Sequence, residues 1–274
     1  MLCRTGLVWK STIDDQVLTF RLIGVNNQNF IMEDEQTGTW WQQVTGEAIT
    51  GPLAGKRLEP MFFEQVTWEL WSSENPETTV LESRPEFADR YWNETEYAEK
   101  RTDEYMEFPV EEDPDDDLER GELIMAVRMP DLREKAYPMP LLREQNPVAD
   151  RFAGRDLLVV VAEDGRSVRA FDRKVDGRSL EFYALLKETE NLMDEPEAPS
   201  EETDVAAPER LEIAPFALVD AETRSEWDFT GTAVSGPLAG RQLTRYQVYA
   251  DHWFDWKKFN PEGVVFSAGL RSSP

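Results

Sequence analysis

The pentapeptide Gly51-Pro52-Leu53-Ala54-Gly55 returns as Gly236-Pro237-Leu238-Ala239-Gly240, and no other feature limits the possible folds of this chain so strongly. The match runs on without a gap. Leu58 meets Leu243, Trp68 meets Trp253, Trp71 meets Trp256, and Asn75-Pro76-Glu77 meets Asn260-Pro261-Glu262. That makes 11 identities in 27 positions, where average residue usage gives about one or two. Upstream, Trp9, Ile13-Asp14, Leu18 and Phe20 align with Phe171, Val175-Asp176, Leu180 and Phe182. The spacing is 185 residues at the pentapeptide and 162 upstream, a difference close to the length of an acidic stretch, residues 188–209, in the second copy. A duplicated unit is therefore expected, with an acidic loop inserted in its second copy and the two copies related by pseudo-twofold symmetry.

Within the unit, Val17 to Val25 is rich in β-branched and aromatic residues and ends at Asn26-Asn27, the composition of a strand closed by a turn. Phe30 to Asp34 reads as a second strand, and Thr39 to Ile49 as a hairpin or two short strands around Gly46. The repeated pentapeptide puts glycine and proline where a tight turn needs positive φ and a fixed corner. Thr67 is a candidate N-cap and Asn75-Pro76 a stop. Trp68 and Trp71, and their counterparts in the second copy, are thus expected to lay two indoles from one helical face on a sheet. Val80-Leu81 is expected to close the unit as a strand. In the second copy Leu157 to Ala162 is apolar throughout, as a strand covered on both faces must be, and Tyr137 to Arg143 is expected to start a short helix. The class is α+β, strand-rich, with short helices and two related repeats. A first repeat spans 1–81, an acidic connecting segment 82–122, and a second repeat 123–270 with its acidic loop at 188–209.

The 274 residues carry 55 Asp and Glu against 29 Lys and Arg, a net charge of -26. Residues 82–122 hold -12 of it and residues 188–209 hold -9, so the remainder has the charge of an ordinary domain. This balance argues against nucleic acid and anionic membrane as partners, since both demand clustered cations. The longest aliphatic run, Leu157 to Ala162, falls far short of the roughly 20 residues that span a bilayer. With one Cys and one His, neither an internal disulfide nor a Cys/His zinc cluster is possible, and no metal site is assigned. Residues 188–209 read as a solvated loop. In the connecting segment Phe87, Tyr91, Trp92, Tyr97, Tyr105 and Phe108 interrupt the acids and are expected to dock on folded surface.

Carried back at the upstream spacing, the alignment sets Met1 opposite Glu163, so residues 123–162 have no counterpart ahead of the first repeat. About forty residues are expected to be missing there. Several segments, in this order, resemble the prokaryotic family called domain of unknown function 3179: Cys3-Arg4-Thr5-Gly6, Leu18 to Asp34, Thr37 to Gly46, the two pentapeptides, Phe108-Pro109-Val110, Ala136-Tyr137-Pro138 and Ala170-Phe171-Asp172-Arg173. The resemblance covers nearly the whole chain and implies that the family's N-terminal part is lacking. It also implies a Cys-x-x-Cys before the Thr-Gly, of which Cys3 matches the second cysteine while the first would fall just before Met1. No cofactor, activity or localisation follows from it.

Asn27, Asn29, Asp34, Trp41, Gln43 and Glu47 lie along one stretch of the first repeat. Amides and carboxylates in that pattern can hydrogen-bond a small polar ligand while Trp41 packs on it. Turn-making asparagines and a core tryptophan account for the same residues. The second repeat keeps Asp220 and Trp227 without the amides, which places a site in the first. Cys3 beside Arg4 is a weak catalytic candidate, because a nearby cation favours the thiolate. His252 has no defined partner and reads as structural, and the pentapeptides lack the Lys and Ser/Thr of a phosphate loop. The expected function is that of an uncharacterised duplicated protein binding a small polar ligand or a protein partner at a first-repeat pocket. The alternative is a thiol-dependent enzyme or a metal/redox site based on the Cys-x-x-Cys, so whether the protein is an enzyme stays open.

Overall fold

A computed structural model describes residues 5–91, 118–185 and 217–267. Cys3, the acidic loop 188–209 and, of the aromatic anchors, Trp92, Tyr97, Tyr105 and Phe108 lie outside them. Phe87 lies in a 3-10 turn, and Tyr91 is exposed. In the first half, left-handed Asp14 and Asp15 turn the chain between β1 (Thr12–Ile13) and β2 (Gln16–Val17). An antiparallel sheet follows, with β3 (Phe20–Asn26), β4 (Asn29–Asp34), β5 (Trp40–Gln42) and β6 (Glu47–Thr50) in sequence order. The β3–β4 turn is made by Asn27 and Gln28, both at positive φ, the conformation that two-residue hairpins require.

The second half begins with strands of a larger sheet: β7 (Leu123–Arg128), β8 (Glu134–Pro138), β9 (Val148–Phe152), β10 (Arg155–Val161) and β11 (Val168–Asp172). Then come β12 (Lys174–Val175) and β13 (Arg178–Ser179), joined through left-handed Asp176 and Gly177, and a three-stranded sheet of β14 (Phe182–Ala184), β15 (Ala217–Asp220) and β16 (Glu226–Asp228). Long β17 (Thr244–His252) and short β18 (Val264–Val265) complete the larger sheet, a seven-stranded one in the order β18-β8-β7-β17-β11-β10-β9. Pairing in it is antiparallel except between β18 and β8. Three short α-helices lie among the described residues: α1 (Trp68–Glu74), α2 (Met139–Glu144) and α3 (Trp253–Phe259). None is long and apolar enough to cross a membrane.

Alternation explains why β7 and β10 read as continuous apolar runs. Met125 and Val127 enter one core with Leu157, Val159 and Val161, while Ile124 and Ala126 face a second core and Leu158 and Val160 a third. Both faces of the sheet are thereby covered.

The same bonds recur at matched positions of the two halves. The Asp34 carboxylate accepts from Thr37 N (2.6 Å), Thr37 Oγ1 (2.8 Å) and Trp41 Nε1 (2.9 Å). The Asp220 carboxylate accepts from Thr223 N (2.6 Å), Thr223 Oγ1 (2.8 Å) and Trp227 Nε1 (2.9 Å). The next hydroxyl in each turn, Thr39 or Ser225, reaches into the pentapeptide to accept from Leu53 N (3.1 Å) or Leu238 N (2.9 Å). Gly51 and Gly236 sit at φ 105° and 82°, where a Cβ would come within 2.7 Å of the Thr39 or Ser225 Cα, so glycine is needed there for both φ and space.

Two expectations need correction. The tryptophan pairs do not share surroundings: Trp253 and Trp256 are fully buried against β7, β8 and β17, whereas Trp68 is 55% exposed and α1 buries none of its residues. The reason lies in what precedes each helix. α3 follows directly on the central strand β17, so its indoles fall on the sheet, while α1 follows residues 61–67, which form no strand. Val80-Leu81, expected as a strand, is irregular and exposed. Residues 63–67 instead wedge into the large sheet beyond Tyr246, where β17 parts from β11. Gln247 bonds both Phe63 N (3.1 Å) and Phe63 O (2.8 Å), Ala250 N donates to Gln65 Oε1 (2.8 Å), and Thr67 N donates to Ser167 Oγ (2.9 Å). Side chains here supply the bonds that a neighbouring strand would otherwise make.

Candidate functional site

The six ligand-binding candidates divide between two ends of the first-half sheet. Asp34 and Trp41 are fully buried and bonded to each other in the turn network described above. Burial alone would push the Asp34 carboxyl up, but the donors from Trp41 and Thr37 outweigh it and hold the group below its ordinary range. Asn29 starts the strand that Asp34 ends, five residues away, or about 17 Å at the rise of an extended chain. At that other end the β3–β4 turn meets α3 of the second half. Asn29 Nδ2 donates to Asp255 Oδ2 (2.6 Å), and Asn27 Nδ2 approaches Asp255 Oδ1 (3.5 Å).

Asp255 adjoins Asp251, the penultimate residue of β17, and both are fully buried. Burial raises both carboxyls. For Asp251 the neighbouring charge of Asp255 adds to the rise and takes it well above the ordinary range, while bonds from Asn29, Asp251 and Asn27 limit Asp255 to about 7. Two carboxyls so placed share a proton at neutral pH, because both charges together are too costly in a buried site. One Asp251 oxygen accepts from His252 N (2.7 Å), and the other meets no donor apart from the proton it shares with Asp255. Asn29 Oδ1 is likewise buried and unbonded, as is the Thr5 hydroxyl, which stands near enough to Asp251 to favour its charged form without completing a normal hydrogen bond. Gln43 sits next in line, with its Nε2 directed at Thr5 O (3.5 Å) and its Oε1 buried without a donor. The amides Asn27 and Asn29 of the first half are thus brought to Asp255 of the second, while Gln43 reaches only Thr5.

Beside this cluster lies a cavity of about 280 Å³ whose walls include Trp9, Thr45, Glu47, Arg57, Arg128 and Glu134. Arg128 and Glu134 pair across β7 and β8 and form an ion pair with side chains only 9% and 3% exposed. Glu134 also accepts from Tyr249 OH (2.5 Å) and Trp256 Nε1 (2.8 Å). Burial, then the Glu134 charge, holds the Tyr249 phenol protonated far above its usual range, so it remains a donor. The Arg128 guanidinium lies 5.6 Å from the Trp9 ring and 5.1 Å from that of Tyr249. Across the cavity mouth Arg57 and Glu47 form a looser pair, 3.4 Å apart with each side chain nearly half exposed.

Asp251, Asp255, Arg128, Glu134 and Tyr249 do not stand out in the sequence, although the alignment around the pentapeptides carries a signal for two of them. At the pentapeptide spacing Asp251 and Asp255 align with Val66 and Leu70. A carboxylate aligned with an apolar residue is misplaced for packing alone. His252, read as structural, directs Nδ1 to Gly121 O (2.9 Å). Among the described residues no three His, Cys, Asp or Glu side chains gather in a way that could hold a metal ion.

These features define a strand-rich α+β protein with a buried carboxyl pair and a polar cavity where its two halves meet. The chain matches the family described as "Protein of unknown function (DUF3179)" over residues 1–263 and belongs to it. No curated protein and no solved structure matches it.

Proposed function

We propose that the protein binds a small polar ligand in the cavity between Trp9, Glu47, Arg57 and the Arg128–Glu134 pair. The observation that carries this reading is the contrast between the two ion pairs around one space. The inner pair is buried and fixed by Tyr249 and Trp256, whereas the outer Arg57–Glu47 pair is long and exposed and of the kind that contributes little stability. A ligand can displace the outer pair without unfolding anything. Two cations, two carboxylates and an indole face suit a zwitterion or a hydrogen-bonding neutral molecule better than a net-charged or apolar one. In this reading the matched turn networks belong to two copies of one unit, 1–81 and 123–270, related by a pseudo-twofold axis and joined through 82–122. Their role is to hold the cavity walls. The thiol-dependent alternative rests on Cys3, outside the described residues.

The test is a panel of amino acids, small zwitterions and sugars, scored by thermal stabilisation and by tryptophan fluorescence. A hit is expected to change the emission of the native protein, to lose that change in Trp9→Phe, and to bind about tenfold or more weakly in Arg57→Ala. Hits that bind Arg57→Ala and Glu47→Ala as well as the native chain, or no hit at all, would overturn the proposal.

A further inference from the structure

The cluster of Thr5, Asn29, Asp251 and Asp255 is a second place, separate from the cavity, where the interior asks for something more. Asn29 is fully buried, its Nδ2 lies 2.6 Å from Asp255 Oδ2, and its Oδ1 has no donor. Asp251 Oδ2 meets only the Asp255 carboxyl, and the Thr5 hydroxyl beside Asp251 completes no normal hydrogen bond. Buried polar atoms in folded proteins nearly always have a partner, and most of these are acceptors. The groups acting on Asp255 are Asp251, Asn29 and Asn27, with no cation among them. The nearby Arg128 is matched to Glu134.

We propose that the carboxylates of Asp251 and Asp255, with Asn29 Oδ1 and the Thr5 hydroxyl, hold a single hard cation of the Ca²⁺ type. Carboxylate, amide and hydroxyl oxygens, with no nitrogen or sulfur, are the donor set of such an ion, which tolerates irregular geometry and completes its shell with water. The ion would join β4 and the chain near Thr5 to β17 and α3, so it would tie the two halves together. Glu47 and Arg57 take no part, and the cavity proposal can fail without touching this one.

Trp253 and Trp256 flank Asp255 on α3 and are fully buried, so a bound lanthanide would be excited through their indoles. Tb³⁺ added to the full chain is expected to give indole-sensitised emission that saturates at one ion per chain and is chased by Ca²⁺. The emission should fall by about tenfold or more in Asp255→Asn. It should persist when Asp113, Asp115, Asp116 and Asp117 are replaced by Asn, which removes loose binding to the acidic run. Thermal unfolding in chelator checks that Asp255→Asn is folded, and Asn29→Ala should show the same loss if it is not. Absent emission, emission unchanged in both site variants, or emission abolished by the acidic-run substitutions would overturn the assignment and leave ordered water as the occupant.

Discussion

Asp255 holds a proton in the folded protein that it gives up when the chain unfolds. Its carboxyl is raised by burial from the ordinary 3.8 to about 7, so between those values the folded state binds more protons than the unfolded one and stability falls as pH rises. Above about 7 the cost is constant. Asp251 acts in the same direction, raised by burial and then by the neighbouring charges of Asp255 and Glu134. Asp34 and Asp164 act in the opposite direction. Burial would raise both, but hydrogen bonds outweigh it, from Trp41 and Thr37 to the first and from Ser167 to the second. Their contribution is present above pH 4 and lost in stronger acid. In chelating buffer, Asp255→Asn is therefore expected to be more stable than the native protein at pH 8, by roughly 2 kcal/mol, and nearly equal to it at pH 4.5. Denaturant unfolding at the two pH values measures this, and a variant less stable at pH 8 would contradict it.

At the level of elements, much of the architecture was legible because it is local. The strands Phe20–Asn26 and Asn29–Asp34, the Thr67 cap that accepts from Leu70 N, and the apolar β10 all stand where pattern and turn chemistry put them. What was not legible is which partner each element meets. Trp68 and Trp253 align in the sequence, yet only Trp253 has a sheet beneath it. Asp34 and Trp41 carry the residue types of a binding site, but their donors close on one another, and the retained Asp220 and Trp227 marked that arrangement as a turn. A feature present at both aligned positions is accounted for by the turn it builds, whereas Val66 and Asp251 differ at aligned positions. The consequence can be measured: Trp256→Ala is expected to cost about 3 to 5 kcal/mol, the range for a large buried side chain. It also removes one of the donors to Glu134, Trp256 Nε1 at 2.8 Å. Trp71→Ala, on a helix with no buried residue, should cost about 1 kcal/mol. Equal losses would mean that α1 is as deeply packed as α3.

In the molecule as a whole, the first half is fastened to the large sheet mainly by polar groups. Arg169, on β11 and almost fully buried, donates to Glu64 (2.8 Å) and Glu74 (2.6 Å and 2.7 Å) of the first half and to Phe229 O (3.2 Å) of the second. Arg245 adds a second cation to Glu64 at 2.9 Å, and Thr67 Oγ1 donates to Asp164 (2.7 Å). Apolar contact across this junction comes from partly buried side chains, Leu70 of α1 with Leu7 and Phe63. An interface of this kind depends on each buried charge keeping its partner, because removing one member leaves the others desolvated and unpaired. Arg169→Met keeps much of the side-chain volume while deleting the charge, and is expected to cost about 3 to 5 kcal/mol. The loss should fall unevenly, because the seven-stranded sheet retains cores on both faces while residues 61–74 lose their main anchor. Unfolding of the variant should then separate into two steps, an early one in tryptophan fluorescence as Trp68 and Trp71 come free, and a later one in far-ultraviolet circular dichroism as the sheet melts. A single coincident transition with the native midpoint would show that the junction is held by something other than this arginine.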